Sequence, residues 1–442
     1  MAPTGRPSPT RGRQLLQRSS DSGTAASASA LPPVRSPRAG LLVMLGAISA
    51  ISYLERVCIS VISPLVMEQL SLDQPQMGRV FSAFMLGYAL CQYPFGSLSD
   101  RFGTKRVLGW AMLAWGILTI ATALVEQRFF ASLFGTFNVL LGVRFLLGVA
   151  EAPTYPASTR VVSTWFQKPQ QAKAISVFAV GMGAGSALAP PLVTRLMLAW
   201  GWKAALWIIS IPAFVMALVW AYKGGEKPGA EQTRLSQKET AAQTRAVLRS
   251  KNSWLITLSY FLNNYVFYVF VFWFFPYLVQ VRNFDILESS WIATAPWILT
   301  IFVTPAGGTL SDWLIQKLGE PWGRRILPLT ALTLAGVLMS VGARQENAYL
   351  AVVALTLCEG LVISVDPGYW ASAIRVAPGS AGRAGGLMNM GGNLGGLISA
   401  SMTPIIANQF SWEISLDFTG LLAMLAGVLW LGVRLVPTAE DI

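Results

Sequence analysis

The chain has 442 residues, of which 53% are hydrophobic and only 12% are charged. Soluble globular domains carry about 25% charged residues, so a chain with half that supply cannot cover a water-facing surface of its own size. Its 33 Lys and Arg exceed its 21 Asp and Glu. These basic residues cluster between apolar runs, where they indicate membrane topology and not nucleic-acid binding.

The absence of histidine excludes His-based catalysis, His metal ligands and a His proton switch. The three cysteines, Cys58, Cys91 and Cys358, all lie in apolar runs and lack the spacing of a disulfide framework or a metal site. We therefore expect no bound metal and no cofactor.

Residues 1–39 form a distinct N-terminal zone. They are rich in Ser, Pro, Ala and Thr and contain six arginines against a single acidic residue, Asp21. This composition predicts a disordered, basic cytoplasmic tail. An Arg-rich, acid-poor segment is also typical of an organellar transit peptide, which stays open as the alternative.

Apolar runs long enough to span a bilayer follow from residue 40 onward. One spanning helix needs about 20 apolar residues. On this basis the sequence predicts twelve spans, at 40–68, 77–98, 106–125, 132–155, 171–197, 202–222, 253–280, 289–312, 326–344, 348–373, 381–408 and 413–435. The predicted fold class is an all-α integral membrane protein with twelve transmembrane helices.

The polar stretch at 223–252 divides the twelve spans six and six. We expect an N-terminal six-helix bundle at 40–222, a linker loop at 223–252, a C-terminal bundle at 253–436 and a short tail at 437–442. The linker and the N-terminal tail are both basic, which predicts that both termini and the linker are cytoplasmic. The plasma or inner membrane is the expected location, with an organellar membrane as the alternative.

The two halves repeat one another. The loop after the second span reads GSLSDRFGTKR at 96–106, and the eighth span ends on GTLSD at 308–312, with GRR at 323–325. Glycine-rich stretches stand in the fifth span at 181–185 and in the eleventh at 385–396. Matching features six spans apart predict a parallel repeat of two bundles, as many secondary transporters have.

The loop at 96–106 resembles the signature of the major facilitator superfamily, Gly-x-x-x-Asp-Arg-x-Gly-x-(Lys/Arg)-Arg, throughout its length. Within that superfamily, YLER at 53–56, RFLLGVAEAPTYP at 144–156, PASTRVVSTWF at 156–166 and GGNLGG at 391–396 are similar to the anion:cation symporter family. That family includes bacterial sugar-acid transporters and vesicular transporters of glutamate, sialic acid and phosphate. The resemblance covers about residues 40–436 and implies the fold of that superfamily.

Glu55 and Arg56 lie midway along the first span. A charge at the bilayer centre costs about 2.5–3.5 kcal/mol on insertion scales, so few are expected there without a function. The resemblance implies that the acid at Glu55 takes part in proton coupling and that Arg56 binds the anion. The alternative is a neutralised pair that only packs the bundle. Sugar-acid relatives carry Asp where this chain has Glu55.

Arg144 and Glu151 stand seven residues apart in the fourth span, which places them on one helix face about 10.5 Å apart along the axis. A cavity-lining carboxyl near an arginine is well placed to gain and lose a proton. The resemblance assigns proton coupling to Glu151, with Arg144 holding it or the substrate. The alternative for Arg144 is a residue near the membrane interface whose charge reaches water.

Further polar residues of spans two, ten and eleven are candidates to line a cavity. In sugar-acid relatives the positions matching Tyr88, Trp370 and Asn389 contact the substrate, so the resemblance implies the same here. Additional candidates are Gln92, Asn393, Asp366 and Arg375; Asp366 is alternatively a helix-break cap or a partner of Arg375. The relatives' Gln in span five is Met182 here, which indicates a less hydroxylated or different substrate.

Asp100, Arg101 and Arg106 in the signature loop are interpreted as a conformational gate on the cytoplasmic face. The glycine runs do not follow strands, so they do not satisfy the context of a nucleotide-binding fingerprint. We interpret the glycine runs instead as small residues that let helices approach closely.

These observations predict a secondary active transporter of a small organic anion, a sugar acid or other carboxylate, coupled to protons by alternating access. The alternatives are an organophosphate or phosphate exchanger and a gradient-driven drug exporter. An enzyme is not expected, because the buried residues contain no nucleophile–base or metal cluster. The expected partners are the anion, protons and the lipid bilayer, with no nucleic acid and a monomeric protein.

Overall fold

Long helices joined by short turns make up the structure, a computed structural model that describes residues 37–127, 132–166, 168–225, 244–320, 322–376 and 381–434. Within these ranges the regular structure is entirely helical. Most of the predicted tail at 1–39, most of the predicted linker at 223–252 and the tail at 437–442 lie outside the described residues.

The first half of the chain contains α1 (Pro37–Leu70), α2 (Gln74–Phe102), α3 (Thr104–Thr122), α4 (Thr136–Glu151), α5 (Thr154–Trp165) and α6 (Lys168–Lys223). The second half contains α7 (Lys251–Phe272), α8 (Phe274–Gln280), α9 (Ile286–Ile292), α10 (Ala295–Leu318), α11 (Trp322–Arg344), α12 (Ala348–Ser364), α13 (Asp366–Val376), α14 (Ala381–Gln409) and α15 (Trp412–Leu429).

These helices form the twelve predicted membrane spans. Among the described residues, eight helical segments are long and apolar enough to cross a membrane by length and composition. One of the eight contains both spans of α6, because Gly201 adopts φ 81° and ψ 160° and ends one helix before the next begins. A positive φ of this kind favours glycine. The helices α2, α3 and α14, with 29, 19 and 29 residues, complete the twelve.

Two spans are interrupted at corresponding places. In the fourth span α4 ends at Glu151 and α5 begins at Thr154, with Pro153 between them. In the tenth span α12 ends at Ser364 and α13 begins at Asp366, directly before Pro367. Proline removes a backbone donor and clashes with the preceding turn, so each interruption follows from the local sequence.

The glycine runs allow helices to approach closely, as the sequence predicts. A Cβ at Gly185 of α6 would lie 2.0 Å from the carbonyl oxygen of Ala50 in α1. A Cβ at Gly395 of α14 would lie 2.1 Å from the carbonyl oxygen of Phe261 in α7. The same pair of spans, the fifth on the first and the eleventh on the seventh, therefore packs in both halves, which is the expected consequence of a parallel repeat.

One group of contacts between the halves lies in the first turns of α2 and at its start. Ser82 Oγ of α2 donates to the carbonyl of Leu397 in α14 at 2.7 Å and lies 2.6 Å from Ser401 Oγ. At the end of the span, Gln74 Nε2 donates to Gln280 Oε1 at 2.9 Å. These contacts between the two six-helix bundles lie toward the ends of α2 and α14 that are predicted to be external.

Large apolar side chains cover the outer surface of the bundles. Trp110 is 71% exposed and Phe302 is 67% exposed, and many Leu, Ile and Val side chains are similarly accessible. Contiguous apolar surface of this extent is unfavourable in water and is typical of a lipid-facing protein. The chain is an integral, multi-pass membrane protein.

Candidate functional site

A buried ion pair joins α1 to α4. Arg56 Nη2 donates to Glu151 Oε2 at 2.9 Å, and Ser52 Oγ, one helical turn before Arg56, donates to the same oxygen at 3.0 Å. Both charged side chains are almost fully shielded from solvent. The interruption after α4 positions the acid, because Glu151 is the last residue before the helix breaks.

Glu55 is oriented away from this pair. Its carboxylate accepts a hydrogen bond from Thr119 Oγ1 of α3 at 2.5 Å, inside the N-terminal half. Consecutive helical residues point about 100° apart, which is why Glu55 and Arg56 reach different neighbours. The pair that the structure contains is Arg56 with Glu151.

Arg144 is the fourth charge of the group. It is 2% exposed, its guanidinium lies 5.2 Å from the ring centroid of Phe84, and it interacts electrostatically with Glu55 and Glu151. Its burial does not fit the alternative interpretation, in which the charge of Arg144 reaches water. Its Nε and Nη2 atoms have no hydrogen-bond partner in the described part of the chain. Unpaired buried donors are costly, so these atoms are suited to binding an anion.

Aromatic rings surround the Arg56 guanidinium. The ring centroids of Tyr88, Tyr53 and Phe84 lie 4.5, 4.7 and 5.1 Å from it. Ring faces attract a cation without neutralising it, so the guanidinium keeps its charge for an anionic partner. Tyr88, a sequence-predicted site residue, therefore lies against the predicted anion-binding arginine.

Trp370 lies where the two halves meet. Its ring is 5.9 Å from that of Tyr155 in α5 and 6.4 Å from that of Tyr260 in α7. Tyr260 also donates its hydroxyl to Asp366 Oδ1 at 2.9 Å. The structure thus groups Trp370 and Asp366 in one cluster that includes an aromatic ring of the N-terminal half.

Three of the candidate amides bind one another across the halves. Asn389 Nδ2 and Asn393 Nδ2, one turn apart on α14, donate to Gln92 Oε1 of α2 at 2.9 and 3.0 Å. Amide assignments follow from the hydrogen-bond network. A substrate that takes one of these amides as a partner would have to replace an existing contact.

Arg375, another candidate from the tenth span, belongs to a separate group of ion pairs. Arg375 Nη1 donates to Glu320 Oε1 at 2.7 Å, and the same oxygen accepts from Arg324 at 2.6 Å. The interpretation of Arg375 as the partner of Asp366 is not supported by these contacts, since each residue has a different neighbour.

Arg106 is exposed in the first turn of α3 and borders an apolar surface groove of about 460 Å³ that also includes Phe102 and Trp110. The lining of the groove also includes Leu118 and Ala150, which directly precede Thr119 and Glu151 in the chain. Asp100 and Arg101 belong to the last turns of α2, but their side chains lie outside the described residues. The gate assigned to these three loop residues stays a prediction.

One buried acid was missed by the sequence analysis. Glu359 of α12 is 0% exposed, and both of its carboxylate oxygens lack a hydrogen-bond partner among the described residues. Its signal was a lone acid in the apolar run of α12, the same criterion that singled out Glu55. For metals, the described residues contain no group of three or more His, Cys, Asp or Glu arranged to hold an ion.

Comparison with known proteins agrees with this fold. The Major Facilitator Superfamily model matches residues 45–400, and the chain belongs to that superfamily. It is 30% identical over 371 residues to the hexuronate transporter of Bacillus subtilis (strain 168), covering 81% of this chain and 85% of the relative. It is 27% identical over 412 residues to the probable galactarate/D-glucarate transporter GudP of Escherichia coli (strain K12), covering 87% and 91%.

Among solved structures, a bacterial homolog of the human lysosomal transporter Spinster, inward-facing and unoccupied, matches with a TM-score of 0.76. The match covers 92% of this chain and all of that chain at 17% identity, so it bears on the fold alone. Together these matches confirm the predicted superfamily and the twelve-helix fold class.

Proposed function

We propose that this protein is a secondary active transporter that moves a small organic anion together with protons by alternating access. The observation that carries the proposal is the buried Arg56–Glu151 ion pair beside the unpartnered donors of Arg144. In a soluble protein such a group would be an inefficient way to stabilise a core. In a transporter it provides a cation whose partner can be exchanged.

The exchange works through the protonation of Glu151. While Glu151 is ionised, it occupies Arg56 and competes with any incoming carboxylate. When Glu151 takes up a proton, Arg56 loses its partner, and an unpaired buried charge is strongly unfavourable. A substrate carboxylate then replaces Glu151, and its second oxygen is free to accept from Arg144. Anion binding and proton binding therefore favour each other, as linkage requires.

Charge balance supports the same coupling. Glu55, Glu151, Arg56 and Arg144 sum to zero when all four are ionised. An arriving monoanion adds one negative charge, and one proton on either acid restores neutrality in a site where net charge is expensive. Glu55 is suited to a proton-coupling role as well, because the Thr119 hydroxyl donates to an ionised carboxylate or accepts from a protonated one.

The substrate class we propose is a sugar acid or a similar carboxylate. The relatives named for hexuronate and for galactarate/D-glucarate support this class. We assign Tyr88, Trp370 and Asn389 to substrate contact, with Arg56 and Arg144 holding the carboxylate. Met182 stands where the sugar-acid relatives carry a glutamine, which favours a carboxylate less hydroxylated than their substrates or different from them.

Alternating access would require the two bundles to separate along α2 and α14 and close on the opposite side. We place the protein in the inner membrane, as its bacterial relatives suggest, as a monomer with both termini cytoplasmic.

The direct test is uptake by purified protein in proteoliposomes. Labelled D-glucuronate should accumulate when the lumen is made alkaline, and a protonophore should abolish the accumulation. A protein that exchanges phosphate esters without any response to the pH gradient would contradict the proposal and favour an organophosphate exchanger.

A further inference from the structure

We propose that Asp366 is an additional proton site, located in the C-terminal half and separate from Glu55 and Glu151, which carries one further proton in each transport cycle. The inference rests on the proposed function. Asp366 lies in the tenth span, where α12 has ended and α13 begins.

An internal repeat relates this position to Glu151. The fourth span reads PTYPAS at 153–158, and the tenth reads PGYWAS at 367–372, so both contain Pro-x-Tyr-x-Ala-Ser after a helix interruption. Glu151 precedes its proline by two residues, and Asp366 directly precedes Pro367. In a parallel repeat the two acids therefore occupy neighbouring positions of equivalent spans, one in each bundle.

The partners of Asp366 are neutral donors. Tyr260 of α7 donates its hydroxyl to Oδ1 at 2.9 Å, and the Trp370 indole lies close enough to interact with the same carboxylate. A tyrosine hydroxyl can donate to the ionised acid and can accept from the protonated one, so it serves both states. Glu151, in contrast, has a charged donor, the guanidinium of Arg56.

Charged residues are also present on the elements around α13, which packs against α7, α10, α12 and α14. Within the described residues, the charged side chains of these four helices are Lys251, Asp312, Lys317, Glu359 and Arg383, and α13 itself carries Arg375. Lys251, Asp312 and Lys317 are exposed, Arg375 binds Glu320, and Glu359 is fully buried. Tyr155 is the titratable group that approaches the cluster from the N-terminal half.

The position of the cluster makes proton exchange depend on the conformation. Tyr155 packs on Trp370, which packs on Tyr260, the donor to Asp366. When the bundles rock, the contact between α5 and α13 must change, and with it the access of water to the carboxylate. Asp366 would take a proton from water on one side and return it to water on the other, with no covalent step.

Electrostatics then links this proton to the substrate. An ionised Asp366 adds one negative charge to the region between the bundles and repels an anion, whereas a protonated one does not. Anion loading therefore favours protonation of Asp366, and release of the proton favours release of the anion. Transport should move one proton more per anion than the acids of the N-terminal half alone can carry.

The test measures the number of protons per D-glucuronate in proteoliposomes with the membrane potential clamped to zero. The accumulation ratio then rises about tenfold per pH unit for each coupled proton, since each pH unit contributes about 1.4 kcal/mol. Asp366→Asn should lower the exponent by one, a loss of about tenfold in accumulation per pH unit. Glu346→Gln, an exposed loop acid, is the matched control and should keep the wild-type exponent.

Asp366→Ser is the second variant. Serine suits a helix start as aspartate does, so this variant separates loss of the proton from loss of a cap. Melting temperature and counterflow are checked first, and either folded variant decides the question. An unchanged exponent in a folded variant overturns the inference, as does a changed preference for substrate at an unchanged exponent. Wild-type protein that ignores the pH gradient would instead refute the proposed function.

Discussion

At the scale of single residues, the central feature is the buried Arg56–Glu151 ion pair, which the proposed function treats as exchangeable. Arg56 donates to Glu151, while Arg144, whose guanidinium lies against the same Phe84 ring as that of Arg56, has two donors without partners among the described residues. The alternative is a permanent pair that only packs the bundle. Two substitutions separate these interpretations.

Glu151→Gln mimics the protonated acid permanently. The variant should bind substrate and exchange labelled for unlabelled substrate in counterflow, because Arg56 is released. It should lose accumulation driven by a pH gradient, because it cannot release a proton. Counterflow and proton-driven uptake measured side by side in proteoliposomes check this, after the melting temperature.

A purely structural role predicts another outcome. Removing one member of a buried pair costs roughly 3–5 kcal/mol, so the variant would fold poorly and lose both activities together. Full proton-driven accumulation by a well-folded Glu151→Gln protein would move the coupling to other acids.

Arg56→Lys tests the anion clamp. A guanidinium presents a planar fork that matches a carboxylate, whereas an ammonium is a point charge on a flexible stem. We expect binding of the transported carboxylate to weaken by at least about tenfold, or ~1.4 kcal/mol, measured as the ligand-dependent rise in melting temperature. Arg344→Lys, an exposed arginine paired with Asp417, is the matched control and should bind normally. Wild-type binding and transport by Arg56→Lys would show that the clamp is assigned wrongly.

At the scale of helices, small residues set the distance between neighbours. Without a hydrophobic driving force between helices in lipid, van der Waals contact and close backbone approach supply much of the packing energy. The equivalent contacts of Gly185 on α1 and Gly395 on α7 show that both bundles use this device. The glycines are therefore packing residues and not a nucleotide site.

Gly395→Ala should destabilise the protein. Its new methyl group would lie 2.1 Å from the Phe261 carbonyl oxygen, so α14 must move away from α7. Such overpacking costs about 1–3 kcal/mol, to be measured as a lower melting temperature in detergent. Gly386→Ala on the same helix meets nothing within 4 Å and should be neutral or stabilising by up to ~1 kcal/mol. Equal melting temperatures for the two variants would argue against close packing at Gly395.

At the scale of the whole molecule, the contact between α2 and α14 is where the bundles must part. Ser82 and Ser401 lie with their hydroxyl oxygens 2.6 Å apart, one in each half. Their proximity is expected in one conformation of the cycle only, if the bundles rock against each other.

A Ser82→Cys, Ser401→Cys double variant tests this motion. With the hydroxyl oxygens 2.6 Å apart, the two sulfurs would lie near the S–S bond length of about 2.0 Å. Cys91, which is half-buried, is replaced by serine so that it does not compete. Oxidation should abolish transport, and reduction should restore it. Each single cysteine variant should transport under both conditions. A cross-linked protein that transports at the wild-type rate would exclude separation of α2 from α14.

The sequence by itself determined the membrane class, the number of spans and the superfamily. Hydropathy acts along each segment, so a run of about 20 apolar residues predicts a span whatever lies beside it. The loop signature and the six-span repeat likewise depend only on the order of residues in the sequence. For the same reason the prolines at 153 and 367 mark the interruptions that end α4 and α12.

Only the tertiary structure decided which charges meet. Arg56 stands next to Glu55 in sequence yet pairs with Glu151, because neighbouring helical residues point in different directions and the choice depends on how α1 and α4 are rotated against each other. Trp370 gained its neighbours Tyr155 and Tyr260 in the same way, from three separate spans. Spacing along one helix specifies a face, but the partner of that face is a property of packing between helices.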